Sequence, residues 1–187
     1  MAKTSHPPQA ALDAVTGVFR DHGYEGASLA RLSEATGLGR SSLYHYFPNG
    51  KADMARAAVE HVGDVVGRTV ITPLEQGGPV GPRLDTALAA LNTFYGDGTK
   101  ACLGDVFGLC DAEDAVPDGA GSLLRALMAG FVKLARDAGA PADQAPALAE
   151  QVLSDLEGGL VLARAWGDTG PFQRALARTR TVLIPNP

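Results

Sequence analysis

The sequence predicts an all-α protein, and three observations carry that prediction. Apolar residues recur at three- and four-residue spacing through almost every long segment. Clusters of glycine and proline separate those segments. No stretch of alternating β-branched residues has the pattern of a half-buried strand.

The elements follow in order. Pro7-Pro8 opens the first helix, because proline is tolerated in a first turn. Leu12, Val15, Val18 and Phe19 form its apolar stripe, and Gly23 ends it as a C′ glycine. Ser28 is the expected N-cap of a second, short helix carrying Leu29, Leu32 and Ser33 and stopping at Gly37. Gly39-Arg40-Ser41-Ser42 opens a third, with Leu43-Tyr44-His45-Tyr46-Phe47. Pro48-Asn49-Gly50 reads as a turn. A fourth helix runs from about 51 to 68 on Met54, Ala58, Val62, Val65 and Val66. Three prolines and three glycines make 72–82 a loop or hinge. Five longer helices are then expected near 83–95, 100–111, 120–138, 142–166 and 171–184, about nine in all. There is no internal repeat.

The chain has 187 residues, enough to bury a real core. Its 45% apolar and 20% charged residues exclude wholesale disorder. No apolar run reaches the roughly 18 residues that span a bilayer. The first eight residues lack the apolar core of an export signal, so the cytoplasm is the expected compartment. The net charge of −5 argues against a protein that coats nucleic acid non-specifically. That charge is uneven. Residues 1–68 hold seven basic and seven acidic residues and all four histidines, so the remainder carries the whole deficit. A neutral head on an acidic body suggests two parts with different jobs.

The most informative stretch is Ser28–Phe47. Two short helices meet across Thr36-Gly37-Leu38-Gly39, the spacing of a helix-turn-helix whose second helix enters the DNA major groove. Arg40 suits guanine or phosphate, and Ser41 and Ser42 suit a base edge or phosphate. Tyr44, His45 and Tyr46 carry polar tips for phosphate oxygens, and Lys51 opens the next helix, where the dipole also draws phosphate. The competing reading is a surface hairpin with a solvated polar face.

The run Ser28-Leu29-Ala30-Arg31-Leu32-Ser33-Glu34-Ala35-Thr36-Gly37-Leu38-Gly39-Arg40-Ser41-Ser42-Leu43-Tyr44-His45-Tyr46-Phe47 resembles the DNA-binding domain of the TetR family of bacterial transcriptional repressors. The flanks Val18–Tyr24 and Lys51-Ala52-Asp53-Met54 share the resemblance, which covers about residues 10–62. Many members carry one residue between the proline and the lysine. This chain carries two, Asn49 and Gly50, which resembles the subgroup typified by the LmrA and YxaF regulators. Lys100–Gly104 and Leu156–Arg164 resemble that subgroup loosely. The extra glycine shifts the expected position of Lys51 on the DNA backbone.

The resemblance implies a three-helix helix-turn-helix domain, residues 1–50, and a ligand-binding and dimerisation domain, residues 51–187, with 51–68 as linker. It implies a homodimer on a palindromic operator, released when a small molecule binds the C-terminal domain and moves the linker. Ser28, Tyr44, His45, Tyr46 and Lys51 would position phosphates, while Arg40, Ser41 and Ser42 read bases. The last two helices would form the dimer interface through Leu153, Leu156, Gly158, Gly159, Leu160, Phe172 and Leu176. Gly158-Gly159 costs about 2 kcal/mol of helix propensity relative to alanines. Close helix approach at that interface would justify the cost, and packing within one subunit is the alternative.

An effector pocket is expected among Phe94, Tyr95, Cys102, Phe107, Cys110, Met128, Phe131 and Trp166, suited to an apolar or amphipathic molecule. Taken singly, each of these residues also reads as ordinary core. Cys102 and Cys110 would lie about 12 Å apart along one helix. That is too far for a disulfide within it, so redox sensing would need another partner. The histidines lack ligand spacing, and Asp111, Glu113, Asp114 and Asp118 lack the glycine and closing glutamate of a calcium loop. Neither a metal nor a cofactor is expected. No hydrolase, P-loop or Cys-x-x-Cys motif argues for an enzyme. The alternatives to a repressor are a helical adaptor that has lost DNA binding and a redox-responsive regulator.

Overall fold

The structure is a computed structural model describing residues 6–108 and 119–184. Every regular element among the described residues is helical. None of these helices is long and apolar enough to cross a membrane. The chain divides into two compact units, Met1–Gly63 with Leu103–Gly121, and Asp64–Cys102 with Ser122–Pro187. The boundary expected at residue 50 therefore falls inside the first unit, and a later segment joins that unit. The chain passes from the first unit to the second within its fourth helix.

In the first unit, α1 (Gln9–Gly26) buries Ala11, Val15, Val18 and Phe19. Gly23 interrupts it at φ 68, ψ 178, a backbone conformation that side chains resist. α2 (Leu29–Thr36) starts at Ser28, whose hydroxyl accepts from the Arg31 N–H at 3.3 Å, and stops at Gly37 in the left-handed region. α3 (Arg40–Tyr46) buries Leu43, and Phe47 just beyond it is also buried. α4 (Lys51–Val66) buries Met54, Ala55, Ala58, Val62 and Val66. These are the expected elements, and their ends shift by a few residues at most.

The second unit departs from expectation at once. The predicted loop at 72–82 is largely helical. After α4 comes a π-helical turn, Gly67–Ile71, then α5 (Thr72–Glu75), with helical backbone at Val66, Ile71 and Thr72. The Thr72 N–H bonds the Gly67 carbonyl, five residues back. Pro73 has no N–H to give and crowds the carbonyl four residues before it, so a wider turn accommodates it where an α-turn would not. With 51–75 taken as one helical run, the described residues hold nine helices and a short 3₁₀ turn at Gly96–Gly98.

α6 (Val80–Phe94) follows, then α7 (Leu103–Gly108) in the first unit and α8 (Gly119–Asp137), α9 (Ala145–Trp166) and α10 (Gly170–Leu183) in the second. Arg83 on α6 is 4% exposed and donates to the carbonyls of Pro73 and Leu74, the otherwise orphaned end of α5. Its remaining charge meets Asp137 of α8 at 2.8 Å, which Lys133 shares at 2.8 Å. The hydrogen bonds from Lys133 and then Arg83 hold the Asp137 carboxyl below its ordinary pKa, against burial. α9 and α10 form a tight hairpin closed by Gly167 at φ 65. Phe131, Leu134, Leu160, Phe172 and Leu183 fill the core of this unit.

Candidate nucleic-acid interface

Local sequence builds the helix-turn-helix. Leu32, Leu43 and Phe47 are its buried anchors. The turn between α2 and α3 is tied by side chains as well as by Gly37. The Ser33 hydroxyl donates to the Leu38 carbonyl at 2.7 Å, and the Thr36 hydroxyl donates to the Leu32 carbonyl at 2.7 Å. These clasps were missed from sequence, although serine and threonine beside a turn glycine are the signal for them.

With Leu43 turned inward, α3 presents Arg40, Ser41, Ser42, Tyr44 and His45 to solvent, and Tyr46 lies half-buried with its ring edge-on to Phe47. Six of the eight residues expected to touch DNA are thus gathered on one short helix. Ser28 is exposed one helix earlier, its oxygen engaged as the α2 cap.

Lys51 is placed differently from the expectation. Its amino group donates to the Tyr24 carbonyl at 3.0 Å and lies 4.3 Å from the centre of the Tyr24 ring. The two-residue turn Asn49-Gly50 brings it there, with Gly50 at φ +66. Asp53 secures that turn. Its carboxylate accepts from the Asn49 backbone N–H at 2.7 Å, the Asn49 side chain at 3.2 Å and Arg56 at 2.7 Å. Burial works to raise the Asp53 pKa, but these three partners outweigh it and hold the carboxyl below its ordinary value. An acid in the first turn reaching back over the helix start is a capping pattern, and it too was missed from sequence.

The expected effector residues separate. Tyr95 and Phe131 line one small internal cavity of the second unit, together with Leu91, Leu127, Leu153, Leu156, Glu157 and Phe172. Phe107 is not among them. It sits in the first unit, 5.4 Å from the Phe19 ring and 6.3 Å from Tyr24, as core. Trp166 is 63% exposed at the end of α9 and belongs to the surface. Phe94 packs edge-on to Tyr95 at 4.9 Å, Met128 is half-buried next to the cavity-lining Leu127, and Cys102 is buried. Cys110 and the acidic run Asp111, Glu113, Asp114 and Asp118 lie outside the described residues.

The residues expected at the dimer interface are placed as follows within the single chain. Leu156, Leu160, Phe172 and Leu176 are buried within the chain. Gly159 faces α10 of the same chain, where an added Cβ would stand 3.0 Å from the Ala175 Cβ and 3.1 Å from the Phe172 Cα. Leu153 lines the internal cavity, and only Gly158 is open to solvent. The exposed apolar side chains of this hairpin are instead Val161, Leu162 and Trp166. Leu162 and Trp166 border a groove of about 240 Å³ with Ser154, Asp155, Gly158, Arg174 and Arg178. From Leu156 to Ala163 only Glu157 is polar, so over that stretch periodicity gives no means of saying which side meets its neighbour.

Comparison with known proteins agrees with this architecture. Residues 11–58 match the family of bacterial regulatory proteins described as the tetR family. Over 166 residues, 86% of each chain, the sequence is 24% identical to the HTH-type transcriptional regulator YxaF of Bacillus subtilis. It is 31% identical over 78 residues to the HTH-type transcriptional repressor AcnR of Corynebacterium glutamicum, covering 40% of this chain and 42% of that one. Among solved structures, a TetR transcriptional regulator from Legionella pneumophila superposes with a TM-score of 0.81 at 20% identity, covering 96% of this chain and 98% of that one. A cysteine mutant of the TetR family regulator CifR, complexed with 26-bp operator DNA, reaches 0.73 at 26% identity over 98% of both chains. The helix-turn-helix of residues 11–58 and the all-helical fold are thus similar to those of TetR family transcriptional regulators.

Proposed function

We propose that this chain is a TetR-family transcriptional regulator, a ligand-responsive repressor that binds a palindromic operator as a homodimer. The observation that carries the reading is the solvent face of α3, where Arg40, Ser41, Ser42, Tyr44 and His45 project from a helix anchored by Leu43 and Phe47. Arg40 and the two serines read bases. Tyr44, His45, Tyr46 and the capped Ser28 region position phosphates. Two such helices must lie about 34–36 Å apart to meet half-sites one turn apart, which a symmetric pair of chains supplies. The exposed Val161, Leu162 and Trp166 of α9 support pairing through the α9–α10 hairpin.

The internal cavity supports an effector site. It has room for about 10 Å³ as it stands, roughly one water, so an effector enters by parting the side chains of Tyr95, Phe131 and Phe172. A largely apolar lining with one carboxylate, Glu157, suits an amphipathic molecule.

The test is selection of random duplex DNA by the purified chain at about 150 mM salt, a regime in which non-specific phosphate binding is weakened. Enrichment of a palindrome is the expected result and provides the probe for an effector screen by release. A folded, dimeric chain that enriches nothing would refute the reading and favour an adaptor.

A further inference from the structure

The internal cavity lies wholly within the second unit. Among the described residues, four leucines and the rings of Tyr95, Phe131 and Phe172 line it, together with one charged side chain, Glu157 of α9. Burial is uneven around that lining. The three aromatic residues are at most 4% exposed. Leu153 and Glu157, one helical turn apart on α9, are half-buried. The rings therefore form the floor of the cavity, and its rim runs along α9 from Leu153 to Glu157. At that rim the Glu157 Oε2 is shielded from solvent.

This lining selects a guest by charge. Aromatic faces carry the negative lobe of the ring quadrupole and attract cations. A carboxylate attracts them with a full charge, and more strongly where water is excluded than in bulk solvent. An anionic guest would meet like charge from Glu157 and negative ring faces at once. A neutral guest gains apolar contact and little from the carboxylate. A cation on an apolar stem gains from both ends of the cavity. Its head stays at the half-buried rim, so it gives up less hydration than full burial would demand.

We propose that this cavity is a binding site for an organic cation, with its ammonium group at Glu157 and its apolar stem among Tyr95, Phe131 and Phe172. The inference rests on the effector-site reading above and names the chemistry of that site. Glu157 sets the charge that the site accepts, and the rings and leucines hold the stem once they have parted to admit it.

The test is calorimetric titration of the full chain with straight-chain alkylammonium ions from butyl to decyl, and with the alcohols and carboxylates of the same lengths. No DNA is present. Wild type and Glu157→Gln are compared, and thermal melts show that both are folded. At its best length the alkylammonium should bind once per chain, about tenfold or more tightly than the matching alcohol, with the carboxylate weakest. Glu157→Gln, which keeps the side chain's size, should lose about tenfold or more for the ammonium and stay within about twofold for the alcohol. An alcohol or carboxylate that binds wild type as well as the ammonium does would overturn the proposal, and so would an ammonium series that does not bind. An ammonium preference that survives Glu157→Gln would overturn it too, because general attraction to an acidic chain would then explain the binding. Release of the selected palindrome is read in a separate experiment. A chain that takes the cation at Glu157 yet keeps hold of its operator, or enriches none, would sink the ligand-responsive repressor reading and leave the cation site standing.

Discussion

Replacing Gly158 and Gly159 by alanine, one at a time, should change stability by different amounts. Both glycines sit inside α9, where each costs about 1 kcal/mol relative to alanine. At Gly158 a new Cβ meets nothing within 4 Å, so the gain of about 1 kcal/mol stands alone. At Gly159 it meets the Ala175 Cβ at 3.0 Å, the Phe172 Cα at 3.1 Å and the Pro171 carbonyl oxygen at 3.2 Å. Two of those neighbours are backbone and cannot rotate away, so α9 and α10 must separate by a few tenths of an ångström. Overpacking of this kind costs roughly 1–3 kcal/mol. The two variants should therefore differ by about 1–3 kcal/mol, with Gly158→Ala the more stable. For a chain of this size each kcal/mol is about 2–4 °C in Tm. Urea unfolding followed by circular dichroism reads the difference. Two protein concentrations are needed, because Gly158 borders the face proposed to pair. If Gly159→Ala matches or exceeds Gly158→Ala, the close-approach argument is wrong.

Four further outcomes follow from the same geometry. Arg40→Ala should cost about 1–3 kcal/mol of discrimination at one base of each half-site, read by competition with single-base operator variants, whereas Tyr44→Phe should weaken all sequences alike. Leu162→Glu, on the exposed face of α9, should shift sedimentation from dimer toward monomer; an unchanged dimer would place the interface elsewhere. Arg83→Met leaves the Pro73 and Leu74 carbonyls without their donor in a buried setting and should destabilise the chain by about 3 kcal/mol in thermal melts. Asp53 has a folded-state pKa below its ordinary value, so its stabilising contribution is present above the usual carboxylate range and is lost as pH falls through the folded value. Asp53→Asn should flatten the acid limb of a stability-versus-pH curve; an unchanged limb would show that the turn contacts do not matter in solution.

The sequence by itself determined what short-range chemistry controls. Ser28 as a cap, Gly23 and Gly37 as helix breaks, and Leu32, Leu43 and Phe47 as anchors are all decided within a few residues of chain. Those local rules suffice to build α2 and α3 and to turn Arg40, Ser41, Ser42, Tyr44 and His45 outward, so the candidate recognition face was legible before any coordinates. Only the tertiary structure decided matters that depend on distant segments. Phe107 fills the core beside Phe19 because α7 returns to α1, a pairing of residues far apart in sequence. The outward face of α9 is Val161, Leu162 and Trp166, and not Leu156 and Leu160, because α10 covers the other side. Lys51 turns to Tyr24, since what a long flexible cation binds depends on which carbonyl the fold brings within reach. Periodicity reports that a residue is apolar or charged, while burial and pairing are set by what packs against it.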